Sequence, residues 1–360
     1  MLRVRTGGRA RARAVRGAAR RGVRLVITVV IPTIGRPTLA DTLAAVGSEV
    51  PVIVVDDRVT DRDQTGTLRR GGGSRTKERG VTLSALSRFE HVRVVRSGGR
   101  GPAAARNAGW RAAETPWVVF LDDDVIPQPG WAAAVWKDLV DLPEDVAGSQ
   151  GRIVVPPPSG RRPTDAERNT AGLADALWVT ADMAYRRSVL EAAGGFDERF
   201  PRAYREDADL ALRVARAGHR LVRGDRVTAH PVRQDGFWAS VRFQRGNADD
   251  ALMRRVHGRG WRAAVGGGRG RLRTHAVTTA AGLAALTLAA LSARRTLPAT
   301  RRAAVLAGLV WAGLTAEFAW RRITPGPRTP DEVWRMVVTS LVIPPVACAH
   351  RLRGEWRVRR

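Results

Sequence analysis

Short apolar runs alternate with helical patterns through the first half of the chain. Continuous apolar stretches rich in β-branched residues predict four strands, at residues 25–31, 52–55, 92–95 and 117–121. Apolar positions at helical spacing predict helices between them, at residues 38–46 and 103–113. This alternation predicts an α/β sheet with parallel strands, in which ligands bind beyond the carboxyl ends of the strands.

The middle of the chain has a weaker pattern. Residues 177–185 predict a further strand, and residues 189–193 and 207–217 predict helices, the second closed by Gly218. Residues 58–80 are polar, charged and rich in glycine, without periodicity. We expect them to form a mobile insertion beside the ligand site.

Three uncharged segments mark the last third of the chain, at residues 276–293, 303–316 and 336–349. A membrane span needs about 20 predominantly apolar residues, so each segment is short for one. We predict membrane-associated helices at about residues 275–293, 303–320 and 333–350. Helices lying in the membrane interface, a hairpin that does not cross, and a packed soluble appendage remain open. Arginines flank every segment, so charge does not decide orientation.

The net charge of +27 is concentrated outside the central region. Residues 1–24 carry nine arginines and no acid, and residues 251–273 carry seven arginines and no acid. Residues 25–250 hold 32 basic and 30 acidic residues. This distribution favours contact with an anionic membrane surface and argues against a nucleic-acid groove. Residues 1–22 are predicted to be a disordered basic arm.

Cys348 is the single cysteine of the sequence. An intrachain disulfide and a cysteine-based zinc site are therefore excluded, which is compatible with a reducing cytoplasm. The basic N-terminus runs directly into the first predicted strand without a separate apolar stretch, so we expect no secretory signal.

Three consecutive acids, Asp122, Asp123 and Asp124, follow the predicted strand at residues 117–121. Like charges at this spacing repel unless a cation or hydrogen bonds compensate them. Carboxylates at the tip of a buried strand are suited to a hard cation that neutralises a diphosphate. On the tripeptide alone, a solvent-facing acidic turn remains an equal alternative.

Six short motifs occur in the order found in the family-2 glycosyltransferases, which are inverting enzymes with the GT-A nucleotide-sugar fold. Residues 25–235 resemble this family through the following segments: Val-Val-Ile-Pro-Thr at 29–33, Ile-Val-Val-Asp-Asp at 53–57, Ala-Arg-Asn-Ala-Gly at 105–109, Phe-Leu-Asp-Asp-Asp at 120–124, Gly-Gly-Phe-Asp-Glu at 194–198 and Glu-Asp-Ala-Asp-Leu at 206–210. Two departures are visible. Arg58 and Val59 replace the usual Gly-Ser, and Asp182 stands where the family often has Asn.

The resemblance implies roles for acids at two places in the chain. Asp124 would ligate Mg²⁺ or Mn²⁺ against the diphosphate, and Asp122 would contact the ribose or the water shell of the metal. A histidine near His230 completes the metal shell in some relatives. Asp207 would be the catalytic base, and Glu206 would orient it or touch the acceptor. A single base without a carboxylate nucleophile implies inversion at the anomeric carbon.

The resemblance also implies a nucleotide pocket. Asp57 would contact the nucleotide base, with Pro32 and Thr33 lining the same pocket. Arg106 and Asn107 would reach phosphate or ribose, and Asp123 is assigned to the donor site with its neighbours. Each of these residues also has a structural explanation, as a strand cap, a helix residue or one arginine among many.

Together these features predict a GT-A domain with a Rossmann-like mixed sheet at residues 23–260, followed by a basic linker and membrane-associated helices at 261–360. The predicted activity is metal-dependent transfer of a sugar, from a UDP- or GDP-type donor to a glycan or lipid-linked acceptor. The expected location is the cytoplasmic membrane, with the catalytic domain facing the cytoplasm. A polyprenyl-phosphate sugar synthase and a non-catalytic membrane-binding module that retains the fold are the alternatives.

Overall fold

The computed structural model describes residues 26–59, 86, 89–232, 236–294 and 298–359. The predicted arm at residues 1–22 and almost all of the predicted insertion at 58–80 lie outside these residues. Within them the strands are β1 (Ile27–Thr33), β2 (Val52–Asp56), β3 (Val92–Arg96), β4 (Trp117–Leu121), β5 (Ile126–Pro127), β6 (Val146–Val154), β7 (Asp182–Arg186) and β8 (Arg220–Ala229).

Helices connect these strands and continue beyond them. The α-helices of the described residues are α1 (Leu39–Val46), α2 (Pro102–Ala112), α3 (Trp131–Leu139), α4 (Asp165–Ala171), α5 (Arg187–Ala192), α6 (Glu206–Arg216), α7 (Ala239–Arg242), α8 (Gly246–His257), α9 (Trp261–Ala264), α10 (Leu272–Arg294), α11 (Pro298–Ile323) and α12 (Pro330–Arg359).

The strands form one mixed sheet in the order β3-β2-β1-β4-β7-β6-β8-β5. β1 pairs in parallel with both β2 and β4, and β2 pairs in parallel with β3, as the first-half pattern predicts. β7 is antiparallel to both β4 and β6, which makes the sheet mixed. The predicted fold class, a mixed α/β sheet followed by C-terminal apolar helices, is confirmed.

Alternate residues of the central strands supply the core on each face of the sheet. Val29 and Val119 point into one apolar cluster, whereas Val30 and Phe120 point into the other. Helix α2 packs closely on the second face because Gly109 has no side chain. A Cβ at Gly109 would stand 2.3 Å from a methyl of Val30. The glycine of the Ala-Arg-Asn-Ala-Gly motif therefore sets how near α2 and its preceding residues lie to the sheet.

The contacts divide the chain into two compact units. The first contains residues 1–156 and 173–231, and the second contains residues 157–172 and 232–360. The division after residue 231 precedes the predicted domain boundary at residue 260. That boundary remains a prediction.

The second unit ends in three long helices, α10, α11 and α12. Each has the length and apolar composition to cross a membrane, with mean hydropathies of 1.7, 1.5 and 1.3 over their most apolar stretches. All three are longer than the segments predicted from the uncharged stretches, because the helices continue through the flanking arginines.

The strand predicted at residues 177–185 begins only at Asp182, so the prediction is wrong for residues 177–181. Trp178 has a φ of 66°, a left-handed conformation that interrupts an extended strand. Its backbone N–H donates instead to the side-chain carbonyl of Gln150 on β6. The pattern at residues 177–181 is apolar because these residues pack against the sheet as an irregular segment.

A buried polar network joins β7 to β8 near the middle of the sheet. Asp182 accepts hydrogen bonds from the indole of Trp131 at 2.7 Å and from the hydroxyl of Thr228 at 2.6 Å. It also forms an ion pair with Arg226 at 2.7 Å, and Arg226 pairs with Asp138 at 3.0 Å. Three side chains therefore bind Asp182, the departure from the family pattern, and Asp138 fixes one of them, Arg226.

Replacing Asp182 with alanine is expected to destabilise the protein by about 3–5 kcal/mol, because the buried charge of Arg226 loses a partner. As a matched control, Asp225→Ala removes an exposed partner of Arg152, and we expect a cost below about 1 kcal/mol. Denaturant unfolding of the two variants measures both values. Equal destabilisation by the two substitutions would contradict the role assigned to this network.

Candidate active site

The three predicted metal ligands meet at one edge of the sheet. Asp122 and Asp124 directly follow β4, and the chain then enters the short strand β5. β5 pairs antiparallel with the end of β8, with Ile126 opposite Ala229, and this pairing brings His230 beside the acidic turn. Ligand atoms of Asp122, Asp124 and His230 all lie within 4.8 Å of one another.

The chemistry of this cluster fits a divalent cation. Asp124 and His230 are buried, and the side chain of Asp122 is 27% exposed. Nδ1 of His230 lies 3.1 Å from the carbonyl oxygen of Pro231. When Nδ1 donates its proton to that carbonyl, the Nε2 lone pair is left for a metal. Two carboxylates and one imidazole are a donor set that suits Mn²⁺, and the oxygen atoms also suit Mg²⁺.

Asp123 points into a different set of contacts. It accepts a hydrogen bond from the hydroxyl of Thr33 at 2.7 Å and pairs with Arg36 at 2.6 Å. Burial raises the pKa of Asp123, while Arg36 and Thr33 oppose that rise. Arg36 also lies 4.0 Å from Asp124. Sequence reasoning missed Arg36, because one arginine after a strand tip carries no signal in a chain so rich in arginine.

The predicted nucleotide-contact residues lie at the tips of β1 and β2. Asp57 accepts hydrogen bonds from the hydroxyl of Ser97 at 2.7 Å and from the backbone N–H of Gly101 at 2.9 Å. It therefore holds the glycine-rich turn that precedes α2. Pro32, a partly exposed residue of β1, lies opposite Val55 of β2 in the parallel register. These contacts place Asp57, Pro32 and Thr33 at the same edge of the sheet as the acidic turn.

Arg106 connects the acidic turn to the first turn of α6. One terminal nitrogen lies 2.9 Å from Asp122 and the other lies 2.7 Å from Glu206. The side chains of Arg106 and Glu206 are both only 2% exposed. One buried guanidinium thus joins a predicted metal ligand to the Glu206-Asp207 pair. Sequence reasoning predicted a phosphate or ribose contact for Arg106 and missed this bridge.

Buried polar atoms around the bridge have unused hydrogen-bonding capacity. Among the described residues, Nε of Arg106, Oε2 of Glu206 and the hydroxyl of Tyr185 have no hydrogen-bond partner. Buried polar atoms are ordinarily satisfied, and their clustering is typical of a place where substrate or water completes the bonding. The charge of Asp207 contributes to raising the pKa of Tyr185, after burial, so Tyr185 lies near the same pair.

Both acids at the start of α6 hold their protons more tightly than usual. Burial raises the pKa of Glu206 to about 8, against the opposing charge of Arg106 and with a further rise from Asp207. Burial also raises the pKa of Asp207, while the N–H of Ala208 and the charge of Arg106 oppose the rise. A carboxylate with a raised pKa is a stronger base near neutral pH.

The raised pKa of Glu206 predicts a pH dependence of stability. Its contribution to stability is fully present below the unfolded-state pKa of about 4.5 and is lost as pH rises through about 8. We expect the Tm of the protein in chelator to fall between pH 5 and pH 8.5, and Glu206→Gln to reduce that fall. Thermal unfolding across this range measures both slopes. Identical slopes for the variant and the unmodified protein would contradict the assignment.

Asn107 makes four hydrogen bonds to other residues of the protein. Its amide donates to the carbonyl of Phe196 at 2.9 Å and to Glu198 at 3.0 Å. Its side-chain oxygen accepts the N–H of Phe196 at 2.8 Å and the indole of Trp110 at 2.9 Å. With these hydrogen bonds made to the protein and 1% of its surface exposed, Asn107 holds a turn. Its contact with phosphate or ribose remains a prediction.

The turn held by Asn107 is the Gly-Gly-Phe-Asp motif. Gly195 has a φ of +74°, and a Cβ there would stand 2.4 Å from the side-chain oxygen of Asn107. The glycine is therefore required both by backbone conformation and by the close approach of α2. Sequence motifs 89 residues apart are thus parts of one local structure.

Residues 72–193 match the sequence model of the family described as Glycosyl transferase family 2. The match contains α2, β4 and all three acids of the turn. The predicted family resemblance is confirmed over residues 72–193, about a third of the chain. The family 2 segment ends before the start of α6 and before His230, so the places of Asp207 and His230 depend on the structure described above.

Three known proteins are similar to parts of this chain. The pre-mycofactocin glycosyltransferase of Mycobacterium tuberculosis, strain CDC 1551 / Oshkosh, is 33% identical over 133 residues, which are 34% of this chain. The match spans 28% of the length of that relative. Among solved structures, S. aureus TarS is similar over 63% of this chain and 39% of its own, at 16% identity and a TM-score of 0.40. GalNAc-T7, solved with UDP, GalNAc and Mn²⁺, is similar over 59% of this chain and 45% of its own, at 17% identity and a TM-score of 0.42.

Proposed function

We propose that the protein is a metal-dependent, inverting glycosyltransferase that transfers a sugar from a nucleotide-diphosphate donor. The observation that carries this proposal is the connected set of acids around Arg106. On one side Asp122, Asp124 and His230 form a cluster that fits a divalent cation. On the other side Arg106, which pairs with Asp122, also pairs with Glu206, the neighbour of the candidate base Asp207 at the start of α6. The set joins a cation site to a candidate base.

Asp124 and Asp122 are assigned as carboxylate ligands of Mg²⁺ or Mn²⁺, with His230 as the third protein ligand. When bound, the cation supplies positive charge that stabilises the departing diphosphate. Arg106 pairs with both Asp122 and Glu206, and this double contact fixes the position of the Asp122 carboxylate. Arg36, paired with Asp123 and 4.0 Å from Asp124, adds a second positive group at the same edge.

Asp207 is assigned as the general base that takes the proton from the acceptor hydroxyl. The raised pKa of its carboxylate supports this role, because a base works best when its pKa lies near the operating pH. Glu206 pairs with Arg106 and is assigned as a positioning residue for that bridge. Attack by an acceptor activated by one base, with no covalent intermediate, inverts the anomeric carbon.

The donor pocket is assigned to the tips of β1 and β2. Asp57 holds the glycine-rich turn before α2, and Thr33 holds Asp123, so both shape the edge at which a nucleotide would lie. The phosphates would then lie toward the acidic turn. UDP- and GDP-type donors both fit this assignment, and the acceptor is a glycan or a lipid-linked molecule.

The protein is assigned to the cytoplasmic membrane, with the catalytic unit on the cytoplasmic face. Three helices with membrane-span composition at the C-terminus support the location. The excess of arginine that flanks them supports contact with anionic lipid. The nearly neutral charge of residues 25–250 argues against nucleic-acid binding. The clustered acids argue against a non-catalytic protein that only retains the fold.

A screen of nucleotide sugars tests the proposed activity. Purified full-length protein is incubated with UDP- and GDP-sugars in Mn²⁺, in Mg²⁺ and in chelator, and release of nucleoside diphosphate is measured. We expect at least one donor to be hydrolysed slowly in Mn²⁺ and not in chelator. Equal turnover in chelator would contradict the metal assignment, and the absence of turnover with any donor and lipid extract would contradict the activity.

A further inference from the structure

The three long C-terminal helices differ in what their ends contact. By length and composition alone, α10, α11 and α12 are all able to cross a membrane. We infer that only α10 and α11 cross, as a hairpin, while α12 lies on the same face of the bilayer as the chain that precedes α10. This inference rests on the membrane association proposed above and is independent of the proposed sugar transfer.

The beginning of α12 is bound to short polar helices of the same unit. Glu332 accepts the backbone N–H of Asp165, at the start of α4, at 2.9 Å. Arg322, near the end of α11, pairs with Asp165 at 2.8 Å and donates to the hydroxyl of Ser240 on α7 at 2.9 Å. The same guanidinium donates to the hydroxyl of Thr339 on α12 at 2.8 Å. The first part of α12 therefore lies against α4 and α7.

The other end of α12 lies against α8. Gly354 is buried there, and a Cβ on it would stand 2.6 Å from the carbonyl oxygen of Ala248 and 2.9 Å from the side chain of Ala251. Helix α8 also carries Asp249 and Asp250, both buried within the unit. A helix with two buried acids in sequence is unsuited to a hydrocarbon environment. The last turns of α12 are thus packed on a water-soluble element.

These two sets of contacts are incompatible with a crossing by α12. A spanning helix places its ends on opposite sides of a hydrocarbon layer about 30 Å thick. Helices α7 and α8 occupy residues 239–257, a short segment with no apolar stretch that could connect the two sides. Because α7 lies near one end of α12 and α8 near the other, both ends are on one side. The adjacent prolines Pro344 and Pro345 also fall in the middle of this helix.

The hairpin of α10 and α11 has the surface that a bilayer requires. Its uncharged stretches of 18 and 14 residues measure about 27 Å and 21 Å along the helices. Exposed leucines cover this region, including Leu286 at 71% and Leu309 at 64% exposure. The apolar region ends at the base of the hairpin, where Arg271 pairs with Glu317 at 2.5 Å. Arg301 bounds it near the tip, and its long side chain can extend toward the far headgroups.

A groove along this hairpin is consistent with hydrocarbon contact. It has a volume of about 680 Å³ and is lined mainly by apolar side chains of α10 and α11, with Arg301 near the tip of the hairpin. Leu341, Pro344 and Pro345 from the middle of α12 also line it, and Cys348 of α12 lies 3.8 Å from Thr279, near the base of α10. Water in such a groove would find few polar partners, whereas lipid chains match its lining. An even number of crossings then puts the chain before α10 and the end of α12 on one face and residues 298–301 on the other.

Cysteine labelling in intact cells tests this arrangement. Full-length Cys348→Ser protein receives single cysteines at three exposed positions, Ser48→Cys, Ala299→Cys and Arg359→Cys, and is treated with a membrane-impermeant maleimide before and after permeabilisation. We expect Ser48→Cys and Arg359→Cys to react together on one face and Ala299→Cys on the opposite face. A C-terminal epitope tag gives a second readout, since protease added outside intact cells should leave it intact.

Each other outcome contradicts the inference in a recognisable way. Reaction of Arg359→Cys together with Ala299→Cys, opposite Ser48→Cys, means three crossings. Reaction of all three on one face means that the hairpin does not cross. Recovery of the full-length chain in the soluble fraction overturns membrane association itself. Donor hydrolysis measured on the same preparations keeps failure of the proposed activity separate from failure of the topology.

Discussion

Asp207→Asn is expected to lower kcat for sugar transfer by about 10³-fold while leaving donor affinity within about twofold. The amide cannot accept a proton, but it keeps the size of the side chain and its place at the start of α6. Asp207 accepts a hydrogen bond from the N–H of Ala208, and its neighbour Glu206 is the residue that pairs with Arg106 and so connects this end of α6 to Asp122. Binding of donor and cation should therefore survive the substitution.

Steady-state transfer and equilibrium binding of the donor in Mn²⁺ measure the two expectations separately. Glu191→Gln, which removes a carboxylate on the exposed face of α5, is the matched control and should retain full activity. An Asp207→Asn protein with near-normal kcat would show that another group is the base. A large loss of donor affinity would instead assign Asp207 to the donor pocket.

Asp124→Asn is expected to lower transfer by about 10³-fold or more and also to weaken donor binding in Mn²⁺ by at least about tenfold. The substitution removes one of the two carboxylates that would hold the cation with His230, so the cation would be held weakly and would supply less positive charge for the diphosphate. The loss of affinity should vanish in chelator, where the unmodified protein also binds weakly. This dependence on the cation distinguishes Asp124 from Asp207.

Donor titrations with and without Mn²⁺, on both proteins, measure this difference. Asp225→Asn serves as the control, because it neutralises an exposed acid far along β8 that pairs with Arg152. If Asp124→Asn bound donor as tightly as the unmodified protein in Mn²⁺, the acidic turn would not be the cation site.

The parallel part of the fold could be predicted because its strands are buried on both faces. β4 is predicted to the residue, since Trp117 to Leu121 are all buried and read as an unbroken apolar run. The parallel direction of these strands and the placement of acids at their carboxyl ends follow from the same pattern. The position of Asp122 and Asp124 at the ligand-binding edge of the sheet can therefore be predicted from the sequence.

β6 escaped prediction because its central residues are small or polar. Gly148 and Gly151 sit where a Cβ would stand 2.7 Å from the carbonyl of Ala184 and 2.5 Å from the carboxylate of Asp182. The strand is buried by close backbone approach and not by apolar side chains, so it has no alternating pattern. α3 is not among the predicted helices, although Trp131 and Val135 are buried at helical spacing.

The bridge through Arg106 depends on tertiary structure that no local pattern encodes. Arg106 is 16 residues from Asp122 and 100 residues from Glu206 along the chain. Only the packing of α2 against the sheet brings the three side chains together. The same holds for His230, which the pairing of β5 with β8 carries to the acidic turn. A lone histidine and a lone arginine become informative only after their neighbours are known.

Paramagnetic resonance of Mn²⁺ tests the central claim most directly. Mn²⁺ is titrated into the full-length protein with and without UDP or GDP, and the free-ion signal is measured for the unmodified, Asp124→Asn and Asp207→Asn chains. After subtraction of the Mn²⁺ bound by nucleotide without protein, we expect about one Mn²⁺ per chain to lose its free-ion signal in the unmodified and Asp207→Asn proteins. We expect no such loss in Asp124→Asn. Equal free Mn²⁺ in all three samples and in the nucleotide control would contradict the central claim.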